Sequence, residues 1–124
     1  MTYDSDNIFA KILRGEIPSD KVYEEDEVLA FNDISAAAPV HVLVIPKGEY
    51  ISFDDFSRNA GVERIASFFQ TVQKIADDLG VVEDGYRLIT NHGHNGSQSV
   101  PHFHVHILGG KQLGGLLPGD ELVR

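Results

Sequence analysis

Val62, Ile65, Phe69, Val72, Ala76 and Leu79 recur at intervals of 3, 4, 3, 4 and 3. That is the stripe of an amphipathic helix, predicted here over Glu63 to Leu79 and closed by Gly80. Near the start, Ile8, Phe9, Ile12 and Leu13 share one helical face, which predicts a short helix over Ile8 to Arg14 with Asp6 as N-cap and Gly15 as its end. Between the two helices the period changes. Lys21 to Glu24 and Glu27 to Asn32 read as strands around the acidic turn Glu25-Asp26, and Val40 to Ile45 is a β-prone run stopped by Pro46-Lys47-Gly48. Three successive strand signals predict an antiparallel meander. After the long helix come a strand over Tyr86 to Asn91, a turn-rich segment from His92 to Ser99, and a last strand from His102 to Leu108 before Gly109-Gly110. The pattern as a whole predicts an α+β fold: an antiparallel sheet of about five strands, with one long and one short helix.

Composition narrows the picture. The chain has 124 residues, enough for a single domain spanning 1–124, with a core at about 6–110 and a C-terminal tail at 111–124. Its 10 Lys and Arg against 19 Asp and Glu give a formal charge of −9, which disfavours binding to a nucleic-acid polymer. The absence of Cys removes disulfides, thiolate nucleophiles and Cys-based zinc sites. No apolar run reaches the length of a membrane span, and the opening Met1-Thr2-Tyr3-Asp4-Ser5-Asp6 lacks a signal-peptide pattern. A cytoplasmic protein with no membrane partner is expected. Glu24 to Glu27 and Glu83-Asp84 read as solvated turns, and Phe68 and Phe69 as core.

The chemistry concentrates in His102-Phe103-His104-Val105-His106-Ile107-Leu108. Strand side chains alternate, so His102, His104 and His106 share one face, while Phe103, Val105 and Ile107 share the other. Neighbours on one face lie about 7 Å apart, so a group of phosphate size could touch two or three imidazoles. Three readings compete: a polar face reached by accident, a metal site recruiting His41, His92 or His94, and a nucleophilic or acid–base site. His92 and His94 themselves read as solvated turn residues. Crowding imidazoles disfavours protonating all of them, which keeps a ring nitrogen free for attack. The loop Gly96-Ser97-Gln98-Ser99 can aim backbone N–H groups and hydroxyls at phosphate oxygens, and a neighbouring imidazolium or a relay through Ser99 could protonate a departing amine.

The run 102–108 meets in full the pattern His-φ-His-φ-His-φ-φ and resembles the histidine triad (HIT) family. Gly96 to Val100 and Leu108 to Gly110 resemble its histidine triad nucleotide-binding (HINT) branch. Asn7 to Pro18, Leu29 to Ile34, Ala38 to His41 and Leu43 to Lys47 resemble further family segments, so the likeness runs from Asp6 to Gly110. It implies the HIT-like fold and a nucleotide hydrolase or transferase acting at the α-phosphate through a covalent nucleotidyl-histidine. Position by position, His104 is the nucleophile, His102 and His106 flank it, and His41 supports it. Ser97, Gln98 and Ser99 lie at the phosphate and leaving group, Asn91 is a phosphate-side contact, and Asp33 and Ile34 meet ribose and base. The expected ligand is a purine nucleotide or nucleoside phosphoramidate, its base held in an apolar pocket that includes Ile34 and Phe9. A homodimer is implied as well.

The departures matter too. Some family members carry two Cys and a His that form a structural zinc site; here those positions read Asn7, Ala10 and Pro46 to Tyr50, so a fold without metal or cofactor is expected. Ser97 replaces the second Gly of the family's Gly-Gly-Gln-Ser. Pro101 precedes the first triad His where a bulkier residue is common, and the tail lacks a Trp-Pro-Pro feature. His106 argues against the uridylyltransferase branch, whose third triad position is Gln. A dinucleoside polyphosphate hydrolase, or a nucleotide-binding protein with vestigial catalysis, is the alternative to a phosphoramidase. With a charge of −9, an anionic ligand must be held by local donors, so weak affinity and no long-range steering are expected.

Overall fold

The computed structural model of the chain describes residues 2–117. Met1 and the last part of the tail, 118–124, lie outside the described residues. The elements are α1 (Ile8–Leu13), β1 (Lys21–Glu24), β2 (Val28–Asn32), β3 (Val40–Pro46), α2 (Phe53–Asn59), α3 (Val62–Asp78), β4 (Tyr86–Ile89) and β5 (Val105–Gly109). The strands form one five-stranded sheet in the order β1-β2-β3-β5-β4, with every pairing antiparallel. The predicted meander is therefore present, and β5 enters between β3 and β4.

Each face of the sheet has its own cover. Val28, Ala30, Val42, Val44, Val105 and Ile107 point to the face on which α3 lays Phe68, Val72, Ile75 and Ala76. Phe103 joins them, stacked on Phe56 at 4.7 Å and tilted against Phe68 at 5.4 Å. Leu29, Phe31, Leu43 and Ile45 point the other way and pack against Phe9 and Ile12 of α1. The period of 2 thus sorts the strands into two cores, one closed by α3 with Phe56 of α2 and the other by α1. Gly80 takes φ +73° just past α3, a left-handed residue that ends the helix.

The structure corrects several boundaries. The N-cap of α1 is Asn7 rather than Asp6: its side chain accepts the Ala10 N–H at 2.9 Å, a bond worth about 1 kcal/mol. The sequence pattern missed α2 altogether, because a seven-residue helix burying only Phe56 shows no periodicity. Its remaining signals were Asp54 and Asp55 in the first turn and Arg58 in the last. The last strand begins at Val105, not His102. Ahead of it, the Phe103 N–H bonds to the Tyr50 carbonyl and the His104 carbonyl accepts the Thr90 hydroxyl, so these residues are held outside the ladder. Among the described residues, no helix is long and apolar enough to cross a membrane.

Candidate active site

His106 lies on β5 opposite Leu43, and His41 lies on β3 opposite Leu108. Both project to the α1 side, and the diagonal of the antiparallel pair brings His41 Nε2 to 2.9 Å from His106 Nδ1. His104 continues the same face, its ring 5.2 Å from that of His106. Phe9, delivered by α1, sets its ring edge-on to His104 at 5.0 Å and to His102 at 6.4 Å. It forms the floor beneath these rings. Of the two apolar residues expected at the base, Phe9 of α1 is buried and Ile34 is 98% exposed.

Fixed hydrogen-bond partners determine where each histidine carries its proton. The backbone N–H of Ala37 donates to His41 Nδ1 at 3.0 Å, so neutral His41 holds its proton on Nε2. That proton faces His106 Nδ1, with Asp33 Oδ2 3.4 Å away as a second acceptor. His106 Nδ1 is therefore a lone pair, and its own proton sits on Nε2. The His104 Nδ1–H donates to the His102 carbonyl at 2.7 Å, which leaves His104 Nε2 as a bare lone pair. The His102 Nε2–H donates to the Pro46 carbonyl at 2.8 Å, and its Nδ1 accepts the Tyr3 hydroxyl at 2.6 Å.

Burial keeps this arrangement neutral. Desolvation is the leading cause that pushes His102 and His106 down to about 4; for His106 the neighbouring His104 and His41 rings add to it. His104 is also lowered by burial, opposed by its bond to the His102 carbonyl and by the Asp33 charge. At pH 7 all three rings are uncharged. The result is a row of neutral imidazoles with a nucleophilic nitrogen on His104 and an N–H donor on its neighbour, His106.

The loop supplies a polar rim. Gln98 accepts the Gly93 N–H at 2.9 Å and donates to the carbonyls of Ile51 at 2.7 Å and Val100 at 3.0 Å. The Ser97 N–H bonds to the His94 carbonyl and the Gln98 N–H to that of Gly93. Gln98 thus staples the loop, while the Ser97 and Ser99 side chains stay exposed and Asn91 is half-buried. A Cβ at Gly96 would meet the His92 carbonyl at 2.7 Å, so this turn requires glycine. His92 accepts or donates to Ser52 Oγ at 2.7 Å and so fastens the same loop to the start of α2. His41 reaches His106 rather than His104, so any support it lends His104 passes through His106. Tyr3 had no signal in the sequence pattern; it became visible only when the N-terminal segment was placed against His102.

One group of donors, Asp33, His41 and His106, has ligand atoms within 4.8 Å of one another among the described residues. A metal on His41 Nε2 would require the ring proton on Nδ1, where it would face the Ala37 N–H. Two donors would then oppose each other, so the cluster is built for proton placement rather than for a cation.

A model of the HIT domain matches residues 14–113 of the sequence. The chain belongs to the HIT family. This HIT protein is 46% identical over 112 residues to the purine nucleoside phosphoramidase of Escherichia coli (strain K12), covering 90% of this chain and 93% of that one. Among solved structures it resembles a histidine triad protein from Clostridium difficile, with a TM-score of 0.83, 44% identity, and coverage of 94% of this chain and 100% of the other. It also resembles a HIT family hydrolase from Clostridium thermocellum, with a TM-score of 0.82, 41% identity, and coverage of 92% and 98%. In this HIT protein the family's histidine pattern lies on residues 102–108, and the HIT fold is the observed sheet with its helices.

Proposed function

We propose that this HIT protein is a purine nucleoside phosphoramidase, a hydrolase that cleaves at the α-phosphate through a nucleotidyl-histidine on His104 and releases a nucleoside monophosphate. The observation that carries this reading is the tautomer chain: His104 Nδ1–H is committed to the His102 carbonyl, so the Nε2 lone pair is available at neutral pH. The likeness to the Escherichia coli phosphoramidase supports the substrate class.

In the first step His104 Nε2 forms a bond to the α-phosphorus, and the bond from phosphorus to the amine nitrogen breaks. The amine leaves with a proton that comes from solvent through the Ser99 hydroxyl, which takes one proton as it gives one, while the His106 Nε2–H stabilises charge developing on the phosphoryl oxygens. In the second step water attacks the same phosphorus, the bond to His104 breaks, and the proton lost by the water returns to solvent by the same relay. Asp33 and Ile34 hold ribose and base, Asn91 and Ser97 complete the phosphate side, and Gln98 holds the loop in place rather than touching the phosphate. The homodimer belongs to the same proposal: β4 is an edge strand that exposes Leu88, and a dimeric mass by light scattering at micromolar concentration is expected.

His104→Ala is expected to abolish turnover of an adenosine phosphoramidate while nucleoside monophosphate binding stays within roughly tenfold. Retained turnover in that variant overturns the assignment of the nucleophile. A strong preference of the native protein for diadenosine polyphosphates over phosphoramidates overturns the substrate class.

A further inference from the structure

The N-terminal segment ahead of the matched HIT domain reaches the active site. Tyr3 places its hydroxyl 2.6 Å from His102 Nδ1 and its ring edge-on to the imidazole at 5.6 Å. The segment is itself anchored: the Asn7 N–H and side-chain amide both donate to the Asp4 carbonyl, and Arg14 donates to the Ser5 carbonyl at 2.8 Å. Asn7 then caps α1, whose Phe9 packs against His102 and His104. Tyr3 to Phe9 therefore forms a strap over the first two triad histidines.

His102 is fully buried, with 0% exposure, and both of its ring nitrogens are taken. It offers no group to a substrate. Its contribution is the backbone carbonyl that accepts the His104 Nδ1–H. That carbonyl is held in place by a ring pinned at both ends, by the Pro46 carbonyl on Nε2 and by Tyr3 on Nδ1. Without the phenol, Nδ1 would be a buried acceptor with no donor, and the ring would gain reason to flip or tilt. Burial is the largest influence on the phenol and raises its pKa, so it stays a protonated donor.

We propose that Tyr3 is a positioning residue of this active site: its hydroxyl locks the tautomer and orientation of His102 and, through the His102 carbonyl, the orientation of the attacking nitrogen of His104. The kinetic consequence rests on His104 being the nucleophile; the tautomer of His102 does not.

The test compares native protein with Tyr3→Phe, which removes only the hydroxyl, and Arg14→Ala, which loosens the same strap at its exposed end and leaves the phenol intact. ¹⁵N imidazole spectra are expected to show native His102 protonated on Nε2 with a hydrogen-bonded Nδ1, and the Nδ1 signal to move in Tyr3→Phe only. With an adenosine phosphoramidate, kcat of Tyr3→Phe is expected to fall roughly tenfold with KM within about twofold, while Arg14→Ala keeps kcat within about twofold. An Nδ1-protonated His102 in the native protein overturns the proposal, and needs neither variant to fold. So does a Tyr3→Phe protein with native His102 signals and native kcat, or a loss of kcat that follows melting temperature equally in both variants. Absence of turnover in the native protein, with the expected His102 spectrum, overturns the phosphoramidase reading instead and leaves the Tyr3 lock standing.

Discussion

Residues 102–107 alternate one by one between two chemically opposite environments, of which the histidine side opens only at His106. On one side Phe103, Val105 and Ile107 meet only carbon, interlocked with α2 and α3. On the other, His102 and His104 are buried as deeply, yet beside the edge-on Phe9 ring they are held by directed bonds to their nitrogens. The first side derives its stability from area removed from water and tolerates no polar atom. The second accepts a desolvation cost, offset by hydrogen bonds, and obtains rings that are neutral at pH 7 with assigned protons. Burial, rather than exposure, is thus what holds the histidine side neutral.

Substitutions on the two sides should separate stability from chemistry. The largest stability effect is expected for Phe103→Ala, about 3–5 kcal/mol by chemical denaturation, because three packed phenyl rings lose their shared partner. The fraction that remains folded should keep near-native kcat. A collapse of kcat beyond the loss of folded protein would show that the two sides are not separable.

Next is His41→Gln, which removes the ring that donates to His106 Nδ1 and should lower kcat roughly 100-fold with little change in KM. Equal losses in kcat and binding would make His41 part of the packed side instead. The third effect is pH-linked. His102 and His106 titrate near 4 in the folded protein against about 6.5 unfolded, so the unfolded chain takes up protons that the folded chain refuses as pH falls. Stability from these groups is complete above pH 6.5 and lost on acidification towards 4. By pH 5, His102 alone accounts for roughly 2 kcal/mol. A flat denaturation midpoint from pH 7 to 5 would mean that the histidine side is wet.

The smallest effect tests the loop that borders the histidine side. Ser97 stands at φ +59°, the only non-glycine residue with positive φ among the described residues, at the position where the sequence departs from Gly-Gly-Gln-Ser. Ser97→Gly should relieve this strain and raise stability by at most about 1 kcal/mol, read as a small increase in melting temperature. A destabilised Ser97→Gly would show that the serine side chain itself holds the loop.

Much of the fold was legible because periodicity is a local property. Val62 to Leu79 could only be a helix buried on one side, and Val40 to Ile45 could only be a buried strand. The same logic failed where local pattern was thin: α2 buries one residue, and the choice between Asp6 and Asn7 as cap turns on a single side-chain bond. Within the site, Asp33 joins His41 and His106 in a cluster that residue spacing did not show. Gln98 is spent on stapling its loop, and Phe9 sets its ring against His102 and His104. Those outcomes depend on how α1 and the 92–99 loop dock, and neither docking is written in residue spacing.

The sequence by itself determined that three histidines share a face, since a period of 2 follows from strand geometry alone. Only the tertiary structure decided what that face is. The His102 carbonyl that fixes the His104 proton is local, but the other groups that assign protons, the Ala37 N–H, the Pro46 carbonyl and the Tyr3 hydroxyl, lie 4, 56 and 99 positions from the rings they bind. An alternating pattern states which way a side chain points; which atom waits there, and whether water is excluded, depends on segments brought together only when the chain is packed.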